Sequence, residues 1–314
     1  MNADPPVTRE DVVRAAETIR GRVRRTPLLD GTMLAPGLAL KAELFQHTGS
    51  FKVRGVSNRL AALGAAERER GVAGASAGNH AIALAWGALA EGLECVVFSW
   101  KSASPFKLDR ARAFGARVDT EAEDPSGAFV RLEAHLAETG ATLVHPFDDP
   151  LVMAGQGTVG LEILEDVPRA DVIVVPVGGG GLVSGIVAAV APRSVRVVAV
   201  EPEGSPALIR ALEAGKPVAV VPRTIAGGLD APFAGRYALD VCRAAGVEVV
   251  TVTDEEIEEA MRRLYAEAKL ACEPAGAAGV AAVLAGHVDA KSMVAVVSGG
   301  NVGPEIASAI LAPR

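Results

Sequence analysis

Four consecutive glycines, Gly178 to Gly181, stand in PVGGGGLVSG at 176–185, directly after an apolar β-branched run and directly before a helical one. No side chain there holds an anion at a distance. The backbone amides, with the positive end of the following helix dipole, can form a nest for a phosphate. The alternative is a tight strand-to-helix turn without a ligand, for which a run of four glycines is entropically costly. The spacing does not fit a nucleotide P-loop, because no GK[ST] follows. Nor does it fit a dinucleotide fingerprint, because Val183 and Ser184 stand where the final glycine belongs.

Three further segments carry reactive or polar groups at the ends of apolar runs. Lys52 lies in HTGSFKVRG (47–55), flanked by Phe51 and Arg54. Alone it reads as a solvated surface lysine. In a partly desolvated cleft its pKa falls and its amine forms imines with aldehydes. Flanked by Phe51 and Arg54, the lysine has a cofactor ring and a nearby cation as conceivable neighbours. In SAGNHAIALAW (76–86), Ser76, Gly78 and Asn79 precede a helix. Amides and hydroxyls at that position suit a carboxylate, and Asn79 can donate to a phenolic oxygen; an ordinary N-cap is the other reading. Ser298 opens SGGNVG (298–303), where its hydroxyl can hydrogen-bond a ring nitrogen.

The elements that must position these groups follow from the periodicity. A Thr cap and acidic residues open a helix between Val7 and Val23, which Thr26 and Pro27 end. Apolar runs at 38–44, 94–98, 171–177, 194–201, 247–252 and 292–297 alternate with Ala-rich helical periods. Strands apolar on both faces and separated by helices make a parallel sheet covered by helices on both sides. Between about 71 and 145 the chain carries its own alternation, with helices expected near 79–91, 105–114 and 126–138. Two lobes sharing a cleft are expected: a large one (1–70 and 146–314) and a small mobile one (71–145).

Composition narrows the function. The 314 residues are 50% hydrophobic and 22% charged, with a net charge of -7 and no massed basic face. Neither nucleic acid nor an anionic membrane is an expected partner. Cys95, Cys242 and Cys272 are an odd number, far apart in apolar stretches, so reduced core thiols are expected. With no apolar leader and no run of about 20 apolar residues, a cytoplasmic location is expected.

Taken in order, TGSFKVRG, SAGNH, HPFDDPLVMAGQGTVGLEI, GGGGL, EPAGAAG and SGGNVG resemble the threonine/serine dehydratase and serine racemase group of fold type II pyridoxal phosphate enzymes. The resemblance runs from about Val7 to the last helix. It implies a two-lobed α/β fold like that of the tryptophan synthase β subunit, a homodimer, and pyridoxal 5'-phosphate carried on Lys52. Phe51 would pack on the cofactor ring and Asn79 would bond its phenolic oxygen. Gly178, Gly179, Gly180, Gly181 and the Leu182 amide would hold its phosphate, and Ser298 would face its ring nitrogen. Ser76, Gly78, Asn79 and His80 would receive the carboxylate of a small amino acid substrate, largely through backbone amides.

The implied reaction is β-elimination of water from L-threonine or L-serine, giving 2-oxobutanoate or pyruvate plus ammonia. SFKVRG is closer to the dehydratase and racemase form than to SVKDR or SFKDRG of the related synthases. Racemases of the group place a serine where Ala77 stands, which leaves racemisation without its second acid/base. A divalent cation would use Glu201, but Ala207 replaces the second carboxylate. IAGG at 225–228 replaces the group's IADG, and FSWKSASPFK (98–107) replaces a pattern of small and proline residues. These departures are compatible with another β-hydroxy amino acid as substrate. From a different class, a protein that binds a phosphorylated metabolite without imine chemistry stays open. No isoleucine-sensing regulatory domain is expected. Glu273 is read either as a cleft-lining acid or as a helix cap.

Overall fold

The computed structural model describes residues 5–191 and 193–312. Among them are the strands β1 (Leu28–Asp30), β2 (Leu38–Ala42), β3 (Val72–Ala75), β4 (Cys95–Trp100), β5 (Arg117–Ala122), β6 (Thr142–Leu143), β7 (Val172–Pro176), β8 (Arg196–Pro202), β9 (Glu248–Val252) and β10 (Met293–Val297). They build a six-stranded sheet, β1-β2-β10-β7-β8-β9, and a four-stranded sheet, β5-β4-β3-β6. Within the sheets only β1 runs antiparallel to its neighbour. The parallel-rich α/β architecture expected from the sequence is present.

The large sheet shows why its strands read as unbroken apolar runs. Along β7, Ile173 and Val175 face the helices Pro150–Asp166 and Gly181–Val190, while Val172 and Val174 face the helices Asp254–Ala266 and Pro274–Leu284. Successive side chains point to opposite faces, so a strand covered on both sides must be apolar throughout. In the small sheet, Cys95 and Val97 of β4 pack with the helix Asn79–Glu91, and Val96 and Phe98 pack with the helix Pro125–Thr139. The helix Lys52–Ala61 lends Val53, Val56 and Leu60 to the small sheet's core, so chain outside 71–145 also packs there.

Local signals set the boundaries closely. Thr8 caps the first helix, Arg9–Thr18, in a capping box with Asp11, and the turn at Gly21 ends it before the expected Val23. The apolar run 38–44 stops as a strand at Ala42 and continues as a short 3-10 turn, Glu43–Phe45. Strand β5, RVDTEA, escapes a hydrophobicity reading because it is an edge strand with mostly part-exposed polar residues. All parallel strands of each sheet point their carboxyl ends the same way, and ligand clefts form at those ends.

Candidate active site

A cavity of about 370 Å³ opens where the carboxyl ends of the two sheets meet. The segment after β3 contributes Ser76 to His80, the segment after β7 contributes Gly178 to Leu182, and the residue after β10 contributes Ser298. Lys52 and Phe51 complete this wall at the start of the helix Lys52–Ala61. Every residue singled out as binding cofactor or substrate therefore lines one cavity. Their strands are distant in sequence; sheet order sets β7 beside β10, and the packing of the two sheets brings the segment after β3 to them.

Lys52 Nζ donates to the carbonyl oxygen of Pro146 at 2.7 Å and lies 5.2 Å from the Phe51 ring centroid. Burial pushes its pKa down to about 8, because an ammonium loses hydration that one carbonyl does not replace. Two imidazoles stand nearby. His80 Nε2 meets the Val144 carbonyl at 2.8 Å, which fixes the proton on that nitrogen. His145 Nδ1 accepts from the Asp148 amide at 2.8 Å. Burial, reinforced by the Lys52 charge, lowers His80 to about 3 and His145 to about 4, so both rings are neutral.

The glycine loop is shaped by packing as well as by space for an anion. A Cβ on Gly179 would lie 2.3 Å from the Phe147 ring, and Gly180 holds φ +92 with Ala238 behind it. Gly180 caps the helix Gly181–Val190, whose first turn has amides without intrahelical acceptors and no acidic side chain. These amides and the helix dipole face the cavity that Lys52 enters. A lysine of lowered pKa, an aromatic ring, an anion nest and a strand-end hydroxyl on one cavity wall fit pyridoxal phosphate.

Some polar groups of the segment expected to receive a substrate carboxylate are already engaged within the protein. The Ser76 amide is tied to Phe98 in the sheet at 3.0 Å, and the Gly78 amide donates to Ser76 Oγ at 3.0 Å. Donors that remain for an anion include the Ser76 hydroxyl and the first-turn amides of Asn79 and His80. The Asn79 side chain is engaged at both ends: Nδ2 donates to Glu273, and Oδ1 accepts from Asn301 Nδ2 at 2.8 Å. One Nδ2 proton remains. Ser298 Oγ makes only a long contact, 3.4 Å, to the Ala275 carbonyl.

Arg54 does not line the cavity, so the cation conceivable beside Lys52 lies elsewhere. Its guanidinium grips Glu43 (2.8 Å) and Glu162 (2.7 Å), and Lys41 donates to Glu162 at 2.6 Å. A buried cation at this point needs carboxylates, and the sequence had no way to pair residues so far apart. Glu273 does not cap its helix with its side chain; it accepts from Asn79 and from Lys107 at 2.7 Å, bridging to the helix Pro105–Ala113. Glu201 lies outside the cavity wall, fully buried, and its oxygens accept from the Leu208 (2.6 Å) and Ile209 (3.0 Å) amides. It caps the helix Ala207–Ala214, and the described residues contain no cluster of three acidic, His or Cys residues arranged for a metal.

Other cavity residues were not found from the sequence: Trp100, Phe129, Phe147, Thr224 and Asp230. The two sequence departures were the available signal, since Trp100 lies in FSWKSASPFK and Asp230 follows IAGG.

The model of the pyridoxal-phosphate dependent enzyme family matches residues 19–299. The L-threonine ammonia-lyase of Thermotoga maritima is 40% identical over 304 residues, covering 94% of this chain and 76% of that protein. The structure of maize serine racemase superposes with a TM-score of 0.91 at 35% identity, covering 96% of this chain and 95% of the other. That of the T.th. threonine deaminase gives 0.89 at 36% identity, covering 94% and 99%. The cavity that encloses Lys52 and the match over nearly the whole chain lead to one conclusion: this chain belongs to the pyridoxal-phosphate dependent enzyme family.

Proposed function

We propose that the protein is a threonine/serine ammonia-lyase that eliminates water from the β-carbon of a β-hydroxy amino acid, L-threonine or L-serine in the simplest case. The observation that carries this is Lys52, an amine of lowered pKa held between the glycine loop and the helix start at Asn79. The likeness to an L-threonine ammonia-lyase over 94% of the chain supports it.

Pyridoxal phosphate, when bound, supplies the electron withdrawal from the substrate Cα that no side chain offers. The Gly178–Gly181 loop and the Leu182 amide would hold the phosphate. Phe51 would pack on the ring, Asn79 would donate its remaining Nδ2 proton to the phenolic oxygen, and Ser298 would present a neutral hydroxyl to the ring nitrogen. The Ser76 hydroxyl and the first-turn amides of Asn79 and His80 fix the substrate carboxylate, with Gly78 setting the turn. Lys52, as a free amine, takes the Cα proton. The proton that Lys52 takes would leave with the β-hydroxyl as water, and hydrolysis of the enamine product outside the cavity would give 2-oxobutanoate or pyruvate and ammonia.

Ala77 lines the same cavity and offers no acid or base on the opposite side of Cα, which favours elimination over racemisation. We read the region 71–145 as a small mobile lobe on a large lobe of 1–70 and 146–314, and the assembly as a cytoplasmic homodimer. The two sheets support the lobes and three free buried cysteines suit a reducing compartment, while the homodimer rests on the resemblance. The test is a visible spectrum of the purified protein with pyridoxal phosphate, followed by addition of L-threonine, L-serine and other β-hydroxy amino acids with assay of oxo acid and ammonia. Oxo acid from one of them establishes the lyase. Conversion of L- to D-serine without ammonia would replace it with a racemase, and the absence of a cofactor band would remove the assignment of Lys52.

A further inference from the structure

The cavity holds one charged side chain for which elimination of water from L-serine or L-threonine has no use. Asp230 lines it from the loop between the helices Ala207–Ala214 and Arg236–Ala244. The other titratable residues on the wall are Lys52 and His80, and burial favours the uncharged form of both. Asp230 is thus the wall's negative charge. It forms no ion pair among the described residues, and the nearby Lys107 is committed to Glu273 at 2.7 Å. Its Oδ2 lies 3.9 Å from where a Cβ on Gly227 would be, over the glycines of IAGG. Solvent reaches the residue, yet burial of its carboxyl, with a smaller push from the Glu273 charge, raises its pKa to about 6 against its own backbone amide and Lys107.

Two aromatic rings, Trp100 at the end of β4 and Phe129 on the helix Pro125–Thr139, line the same cavity. A carboxylate with aromatic faces is a site for a cation. It repels a second substrate carboxylate and gives a methyl group nothing. We propose that Asp230, with Trp100 and Phe129, forms a distal subsite that selects a β-hydroxy amino acid whose side chain carries an ammonium or guanidinium group beyond Cβ. The reaction part rests on the ammonia-lyase reading, whereas the binding part stands on the cavity.

The test titrates the holoenzyme with two amino acids that have no β-leaving group, L-2,4-diaminobutyrate and L-2-aminobutyrate, following the cofactor's visible absorbance. The diamino acid should bind roughly ten-fold more tightly, the worth of one hydrogen bond to a charged group. Asp230→Asn should remove that preference, and Asp230→Lys should turn it toward L-aspartate. Equal affinities in the wild type, or a preference that survives Asp230→Asn, would overturn the subsite. Oxo acid release from L-serine and from L-2,4-diamino-3-hydroxybutyrate is measured alongside. Charge-selective binding without oxo acid from either would sink the lyase reading and leave the subsite standing; oxo acid without charge selection would do the reverse.

Discussion

The amine of Lys52 and the carbonyl of Pro146, 94 residues apart in the chain, meet at 2.7 Å across the cavity wall. The carbonyl holds the amine at the end of the cleft while burial lowers its pKa to about 8. An imine forms only from the neutral amine. Uptake of pyridoxal phosphate by the apoenzyme should therefore quicken about ten-fold per pH unit below 8 and level off above it. Stopped-flow absorbance checks this, and a rise that continues to the ordinary lysine value would show an unburied amine. Lys52→Ala should lose both the cofactor's imine band and turnover while keeping the wild-type circular dichroism.

The Gly180 position tolerates no side chain. At φ +92 an L residue is strained, and a Cβ would lie 2.4 Å from that of Ala238. Gly180→Ala should cost about 1–3 kcal/mol of stability and weaken pyridoxal phosphate binding at the adjoining amides. Urea unfolding and cofactor titration measure the two effects separately; wild-type values in both would show that the loop moves freely aside.

Removal of the Arg54 guanidinium leaves Glu43 and Glu162 facing each other without their shared cation. Arg54→Met should destabilise the fold by about 3–5 kcal/mol, as stranded buried charges do. Because Arg54 does not line the cavity, the cofactor band of whatever protein remains folded should keep its position. A shifted band would return Arg54 to the cofactor's surroundings.

The Glu201 carboxyl gives stability a pH dependence. Burial raises its pKa from 4.5 to about 7, against the pull of the Leu208, Ile209 and Ala207 amides. The folded state then binds the proton more tightly than the unfolded chain. The contribution is fully present below 4.5 and is lost as pH rises through 7, by about 3 kcal/mol in all. Denaturant titrations between pH 4.5 and 8 should show that decline in the wild type and its absence in Glu201→Gln. Equal slopes would mean that the helix amides outweigh burial.

The Ala77 position tests the division between elimination and racemisation. Ala77→Ser adds a hydroxyl to the cavity wall and should introduce weak D-serine formation beside oxo acid. Chiral chromatography detects it, and no D-serine at all would show that a hydroxyl at this position is insufficient.

Much of this was legible in the chain itself. Strands β7 and β10 announce themselves because both faces are buried, Gly178–Gly181 carries chemistry in its residue types, and Lys52 takes its meaning from the glycine loop and the order of the motifs around it. Thr8 shows its cap through a local spacing to Asp11. What the sequence could not determine depends on partners distant along the chain. Arg54, two residues from Lys52, belongs to a buried ion network with Glu43 and Glu162. Asn79 shares its amide with Glu273 and Asn301, Glu201 spends its oxygens on a helix N-terminus, and Asp230 comes to face the cavity. Periodicity reports which face of an element is apolar, a property of neighbouring residues. The partner of a polar group is set by how two sheets and their crossovers are packed, and only the tertiary structure decides that.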